Sequence, residues 1–254
     1  MKIGVPKERL PHESRVAISP DTIKKLIALG FDVVIESGAG EGAFFFDDAF
    51  KNAGAEIAKD PIETLRNADI VLKVQPPSIE DGVDEISLLK PGAILISNLG
   101  ALSNKPLMEV LAKRGVTAFA VELLPRITRA QAMDVLSSQS NLSGYKAVID
   151  AAGALGRIFP MMMTAAGTIA PAKVFIMGAG VAGLQAVATA RRLGALVTAT
   201  DVRPAAKEQV ESLGARFIEV GPQREEDVQT DGGYAKDIQP EYAEKQRLIV
   251  SEHI

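Results

Sequence analysis

The sequence of 254 residues contains no cysteine and no tryptophan, and only two histidines. Without cysteine there is no disulfide framework, no thiolate nucleophile and no thiolate metal ligand. The two imidazoles, His12 and His253, sit near opposite ends of the chain, and both are expected to be solvated. No Ser/His/Asp arrangement and no cluster with metal-ligand spacing accompanies them, so neither triad hydrolysis nor a metal site is expected. Surplus positive charge is also lacking. Twenty-eight Lys and Arg against 32 Asp and Glu give a formal net charge of −4, which leaves no footprint for nucleic acid or anionic lipid. Nor is there a long apolar run. The most apolar window, residues 159–190, is interrupted by Pro160, Pro171, Lys173 and several glycines, too often to span a bilayer. The opening MKIGVPKER moves straight into a strand-like segment, without the charged-then-apolar pattern of a leader.

What remains is an ordinary globular composition, 47% hydrophobic and 24% charged, arranged as short apolar runs alternating with amphipathic ones. Strands are expected at 2–6, 31–36, 69–74, 93–98 and 116–121, with helices at 20–29, 47–55 and 105–114. This rhythm predicts βα units around a parallel sheet. The paired acids Asp47-Asp48 and Glu225-Glu226-Asp227 read as helix starts or solvated charge. A long helix over 141–159 should carry Leu142, Tyr145, Val148, Ala152, Leu155 and Phe159 on one face. Its glycines, Gly144, Gly153 and Gly156, permit close packing against a neighbour. The boundary between two α/β subdomains falls near residue 137, giving 1–137 and 138–254.

The second pattern begins with AKVFIMGAGVAGLQA. Gly178, Gly180 and Gly183, with Val181 and Ala182 between the last two, form G-x-G-x-x-G directly after a strand (173–177) and before a helix (182–193). That context is the dinucleotide-binding fingerprint. The first glycine makes the tight turn, the second lets backbone approach a pyrophosphate, and the third lets helix and strand pack closely. The helix N-terminus offers unpaired N–H groups to the anion. The next strand (196–200) ends in Asp201, whose carboxylate is placed to accept from an adenosine ribose and to repel a 2′-phosphate. Arg203, two residues on, could instead attract such a phosphate; the position of Asp201 at the strand tip favours NAD(H). A helix over 204–213, a strand over 215–220, a long polar segment over 221–241 and a last helix from about 241 follow. These strands make the first half of a six-stranded dinucleotide fold. The second half, over which nicotinamide would lie, does not occur before Ile254, so the second subdomain is expected to be truncated here.

Residues 126–140, RITRAQAMDVLSSQS, lie at the expected boundary and admit two readings. Thr128 with Gln131 three residues later spells a capping box, and Ser138 or Ser140 could cap the next helix. Alternatively, Gln131, Asp134 and Ser138 follow i, i+3, i+7 spacing, with Ser137 close by and Arg126 just ahead. A hydrogen-bonding row of this kind suits a cleft that grips a carboxamide. General acid/base candidates are scarce, which tilts toward direct hydride exchange between nicotinamides. That reaction needs positioning and exclusion of water more than a proton shuttle.

Several segments coincide with one family. IGVPKER with ESRVAISP, RITRAQAMDVLSSQSNLSGY, FPMMMTAAGTIAPAKVFIMGAGVAGLQA, TDVRPAAKEQVESLGA and GGYAK resemble the soluble NAD(H)-binding component, domain I of the alpha subunit, of proton-translocating NAD(P) transhydrogenase. The resemblance runs along essentially the whole chain. It implies two Rossmann-like α/β subdomains flanking a cleft that binds NAD(H), in a homodimer. It also implies docking to an NADP(H)-binding domain and a transmembrane domain, with no nucleic-acid partner. The activity implied is Re/Si-specific: hydride passes from NADH to NADP+ on the partner, coupled to proton translocation, and the stretch to Ile254 alone would be inactive. The location implied is cytoplasmic, peripheral to the inner membrane. Carried across, the nicotinamide-positioning residues are Arg126, Gln131, Asp134 and Ser137. Asp201, Val202 and Arg203 lie on the adenosine side, and Gly233 and Tyr234 lie in a loop that closes over nucleotide. Alanine dehydrogenase is similar in fold and supplies the alternative, an NAD-dependent amino-acid dehydrogenase. Arg15 and Lys73 match that family's carboxylate-binding positions, but Asn98 stands where its catalytic histidine would fall, and an amide cannot shuttle the proton.

Overall fold

The computed structural model describes residues 1–78, 82–125, 127–221 and 240–254. They divide into two compact units, Met1–Asp134 and Val135–Ile254. In the first unit, β1 (Lys2–Val5), α1 (Pro20–Ala28), β2 (Asp32–Glu36), α2 (Asp47–Asn52), β3 (Glu56–Ala58), α3 (Pro61–Leu65) and β4 (Ile70–Leu72) occur in that order. They are followed by α4 (Glu85–Leu88), β5 (Ile94–Ser97), α5 (Lys105–Arg114) and β6 (Thr117–Ala120). All strand pairs are parallel, in the order β3-β2-β1-β4-β5-β6, with Ile3 opposite Val33 on one side and Ile70 on the other. The order reverses between β1 and β4, so the chain leaves their carboxyl ends in opposite directions and opens a crevice there.

Apolar runs with helices on both faces explain why the strands read as continuous rather than alternating. Ile3, Val5, Ile23, Ile35 and Phe50 pack in one cluster, and Leu65, Val71, Leu95 and Leu111 in another, none of them more than 2% exposed. Helix boundaries follow their caps. Ser19 accepts from the Thr22 N–H ahead of α1, and Asn104 from the Leu107 N–H ahead of α5, which ends at Gly115 with φ 72°. A left-handed residue at that position is what glycine admits without strain.

The second unit holds α6 (Val135–Ala154), the hairpin strands β7 (Met162–Thr164) and β8 (Gly167–Ile169), and β9 (Lys173–Met177). Then come α7 (Val181–Arg192), β10 (Leu196–Thr200), α8 (Ala206–Ser212), β11 (Arg216–Phe217) and α9 (Pro240–His253). β11, β10 and β9 form a parallel sheet in that order. Two parallel α/β sheets agree with the expected fold class. Among the described residues, no helix is long and apolar enough to cross a membrane.

Three expectations need correction. The long helix begins six residues before 141 and stops at Ala154 instead of 159. Its buried positions are Gly144 and Val148, while Leu142 and Tyr145 are 57% and 49% exposed. The reason is close approach: a Cβ on Gly144 would stand 2.0 Å from the Ala182 carbonyl oxygen. The helix therefore meets α7 through its glycine, and the bulky residues point elsewhere. Gly153 and Gly156 face open space. The strand expected over 215–220 pairs only through Arg216 and Phe217. Finally, His253 is not simply solvated: its Nε2 lies 2.8 Å from Thr198 Oγ1 and its ring meets Phe175 edge-on at 5.3 Å.

Candidate functional site

At the end of β9 the chain turns through Gly178, at φ 92°, with its N–H bonded to the Thr200 carbonyl at 2.8 Å. α7 starts at Val181, and its N-cap, Gly180, has no side chain to satisfy the first-turn donors. Those N–H groups and the positive end of the helix dipole make an anion-binding terminus. Gly183 is obligatory for a steric reason: a Cβ there would fall 1.8 Å from the Gly178 carbonyl oxygen. At Gly180 the position is open, and the first atom met is Arg203 Nη2 at 3.9 Å. The three glycines thus divide as expected into a turn, an open approach and a close contact.

Asp201 follows β10 and reaches back to this loop. Its Oδ2 accepts from the Ala179 N–H at 2.7 Å and from Arg203 Nη2 at 3.0 Å. Its Oδ1 accepts from the Arg203 N–H at 2.8 Å and from Arg203 Nε at 2.9 Å. Burial alone would raise the Asp201 carboxyl; the guanidinium and the two backbone N–H groups outweigh it and hold the carboxyl below its ordinary range. Val202, between them, is half-buried. Tyr242 in α9, which nothing in the sequence pattern singles out, feels this carboxylate: burial and then the Asp201 charge raise its phenol.

The boundary stretch is built differently from expectation. Arg126 lies outside the described residues, as do Gly233, Tyr234 and the acids Glu225-Glu226-Asp227. Thr128–Met133 is a 3-10 helix whose N-cap is Ile127, with no side-chain cap bond. The capping box therefore does not form; Thr128 is inside the turn, and i to i+3 bonds such as Ala130 N–H to Ile127 O at 2.9 Å take the early donors. Gln131 is exposed in that turn, and Asp134 ends it at ψ 89°. Because the chain leaves helical geometry there, Gln131, Asp134 and Ser138 do not share one helix face. Ser137 is half-buried in the first turn of α6, and the Ser138 hydroxyl donates to the Val135 carbonyl at 3.1 Å instead of capping.

A charged cluster fills the crevice between β1 and β4 in the first unit. Lys73, just past β4, puts Nζ 3.2 Å from Glu8 Oε2 and 3.0 Å from Glu85 Oε2, with all three side chains at most 2% exposed. Glu8 also accepts from the Val74 N–H at 2.6 Å, and Glu85 from the Ser78 N–H at 2.8 Å. Arg9 bridges Glu85 at 3.1 Å and Glu36 at 2.6 Å. Burial pushes the Glu8 carboxyl up despite Lys73. The resemblance to alanine dehydrogenase assigns Lys73 and Arg15 to a substrate carboxylate, yet Lys73 is held by two internal carboxylates and Arg15 by Glu13, at 2.6 Å. Asn98 spends its Nδ2 on the Val74 carbonyl at 2.9 Å.

Glu13 carries a pH signature. The Arg15 guanidinium, against the opposing effect of burial and with help from the Gln75 amide, lowers its carboxyl to about 2 from 4.5. A carboxyl lowered on folding stabilises above its unfolded pKa, and that contribution is lost as pH falls toward the folded value. Glu13→Gln should therefore destabilise the chain at pH 7, with the gap to wild type closing between pH 4.5 and 2. Urea unfolding across that range checks it; a constant gap would count against the assignment.

Comparison with known proteins gives a consistent result. The N-terminal domain model described as "Alanine dehydrogenase/PNT, N-terminal domain" matches residues 4–143, and the corresponding C-terminal domain model matches 147–252. The chain is 59% identical over 251 residues to the first portion of the NAD(P) transhydrogenase alpha subunit of Rhodospirillum rubrum, covering 98% of this chain and 65% of that protein. To an alanine dehydrogenase of Halomonas elongata it is 35% identical over 205 residues, 79% of this chain and 53% of that one. Among solved structures, the transhydrogenase of Sinorhizobium meliloti superposes with a TM-score of 0.86 at 51% identity, covering 100% of this chain and 66% of the other. An L-alanine dehydrogenase gives 0.75 at 29% identity, over 87% and 61%. The chain thus spans about 65% of the length of the first of these relatives.

Proposed function

The chain belongs to the alanine dehydrogenase/PNT family, and we propose that it is the NAD(H)-binding component of a proton-translocating transhydrogenase. The observation that carries this reading is the glycine loop at the N-terminus of α7, with Asp201 bonded to its Ala179 N–H, within a chain 59% identical to a protein named as part of an NAD(P) transhydrogenase alpha subunit. The open position at Gly180 and the uncapped first turn of α7 fit a pyrophosphate. Asp201 would take the adenosine ribose with Val202 and Arg203 beside it, and Gly178, Val181, Ala182 and Gly183 shape the loop.

Arg126, Gln131, Asp134 and Ser137 would orient the nicotinamide carboxamide and keep water from the transfer path. Gly233 and Tyr234 would cover the nucleotide. When bound, NADH supplies a hydride for NADP+ held on a partner domain, and a transmembrane partner couples the exchange to proton movement. Attachment to that partner would place the chain at the cytoplasmic face of the inner membrane. A homodimer is supported by the hairpin of β7 and β8, where Met162, Met163 and Ile169 are 49%, 72% and 53% exposed; an apolar arm of this kind suits burial against a second copy.

Alanine oxidation is disfavoured by Asn98 and by the internal pairing of Lys73 and Arg15. In the test, the full-length protein is mixed with the NADP(H)-binding partner domain, and exchange between NADH and an NADP+ analogue is followed optically. Exchange is expected. Its absence, or turnover with pyruvate and ammonia instead, would sink the proposal.

A further inference from the structure

The Asp201 carboxylate is saturated before any nucleotide arrives. A carboxylate offers about four lone-pair sites, and four donors already fill them: the Ala179 N–H, the Arg203 N–H, Arg203 Nε and Arg203 Nη2. Two of these are backbone groups fixed by the loop and by the strand end. The other two belong to one guanidinium, whose side chain is 18% exposed against 6% for that of Asp201. The same guanidinium stands 3.9 Å from the Cβ position of Gly180, so it borders the open approach of the loop.

From this geometry we propose that Arg203 is a latch on the nucleotide site: it occupies Asp201 beside the Gly180 approach, and an adenosine 2′,3′-diol must displace it. The proposal rests on the reading of the loop as an NAD(H) site. The exchange is matched in number. Releasing Nε and Nη2 frees two acceptor sites on Asp201, and a vicinal diol supplies two O–H donors. A 2′-phosphate supplies one hydroxyl and no second donor, and brings negative charge to a carboxylate whose guanidinium has just left. It cannot open the latch in the same way. Selectivity for NAD(H) then resides in the Asp201 carboxylate that the ligand uncovers; Arg203 masks that charge, so rejection of a 2′-phosphate persists when Arg203 is removed. A site whose competent form is only partly populated binds more weakly by that fraction, so the latch lowers affinity even for the correct ligand.

The experiment measures NADH and NADPH binding by calorimetry in the full-length protein and in its Arg203→Ala and Arg203→Lys variants. Arg203→Ala should bind NADH about fivefold tighter, with no comparable gain for NADPH, so that the NADH/NADPH ratio rises. Arg203→Lys, which cannot make the paired contact, should fall between. An NADH analogue lacking the adenosine 2′-hydroxyl should gain less from Arg203→Ala than NADH does. Weaker or unchanged NADH binding by Arg203→Ala, or an equal gain for NADPH, would overturn the latch and leave the NAD(H) site standing. Failure of every form to bind NADH would overturn both.

Discussion

Lys73→Met should cost the chain about 3–5 kcal/mol of stability, because it strands the buried Glu8 carboxylate and leaves Glu85 with the Arg9 cation alone. The Lys73 ammonium is the cation shared by Glu8 and Glu85, at 3.2 and 3.0 Å, in a crevice where none of the three side chains is more than 2% exposed. Methionine fills similar volume, so packing is nearly conserved and the loss is electrostatic. Backbone donors remain on both carboxylates, from Val74 and Ser78, and Arg9 stays 3.1 Å from Glu85, yet a backbone N–H cannot replace the full charge that Glu8 loses. The sign of the pH dependence follows. Without the cation, the Glu8 carboxyl, already raised by burial, rises further on folding, and a group raised on folding loses its stabilising contribution as pH increases. The deficit should therefore be larger at pH 7 than at pH 5. Adding Glu8→Gln to Lys73→Met removes the stranded charge while keeping an acceptor for Val74, and should recover about 1–2 kcal/mol. Chemical denaturation of the wild type, Glu8→Gln, Lys73→Met and the double variant at two pH values tests this. A loss below about 1 kcal/mol, or one independent of pH, would mean that water reaches the crevice.

The second large effect concerns two glycines of one helix. Gly144→Ala should destabilise the second unit by about 3 kcal/mol, near the upper end of ordinary overpacking, whereas Gly153→Ala should stabilise it by about 0.5 kcal/mol. The added methyl at residue 144 would meet the Ala182 carbonyl oxygen at 2.0 Å, and backbone cannot rotate out of the way. At residue 153 nothing lies within 4 Å, so only the helix-propensity gain remains. Ala182 is in the first turn of α7, directly beside the glycine loop. Shifting it should also weaken NADH binding in Gly144→Ala and leave Gly153→Ala unaffected. Thermal unfolding and NADH titration of both variants decide the matter; similar behaviour of the pair would refute the close helix contact.

Much of this architecture is legible from the residues because local chemistry dictates it. α5 runs over 105–114 as expected, since Asn104, Pro106 and Gly115 punctuate it. The glycine loop is legible for the same reason: the turn at Gly178, with φ 92°, and the contact at Gly183 each demand a missing side chain. The failures are equally physical. β3 and the strands of the β7–β8 hairpin have only three residues each, too few to show a period. The i, i+3, i+7 spacing of Gln131, Asp134 and Ser138 presumes one continuous helix, and a 3-10 turn that ends at Asp134 breaks it. Pairing of Glu8 with Lys73 and Glu85 joins residues far apart in the chain, which no local pattern encodes. Arg203 is ambiguous for a related reason, since its sequence position says nothing about which anion it holds.

The central position of β1 bears on how the first unit is made. Ile3 pairs with Val33 and with Ile70, so β1 cannot gain its second neighbour on the ribosome until β4 has emerged. Sheets whose central strand waits for distant partners fold slowly, because loop closure must precede the contacts that reward it. During synthesis Ile3 and Val5, both destined for the core, remain exposed for much of the unit's translation, the interval in which nascent chains are most prone to associate.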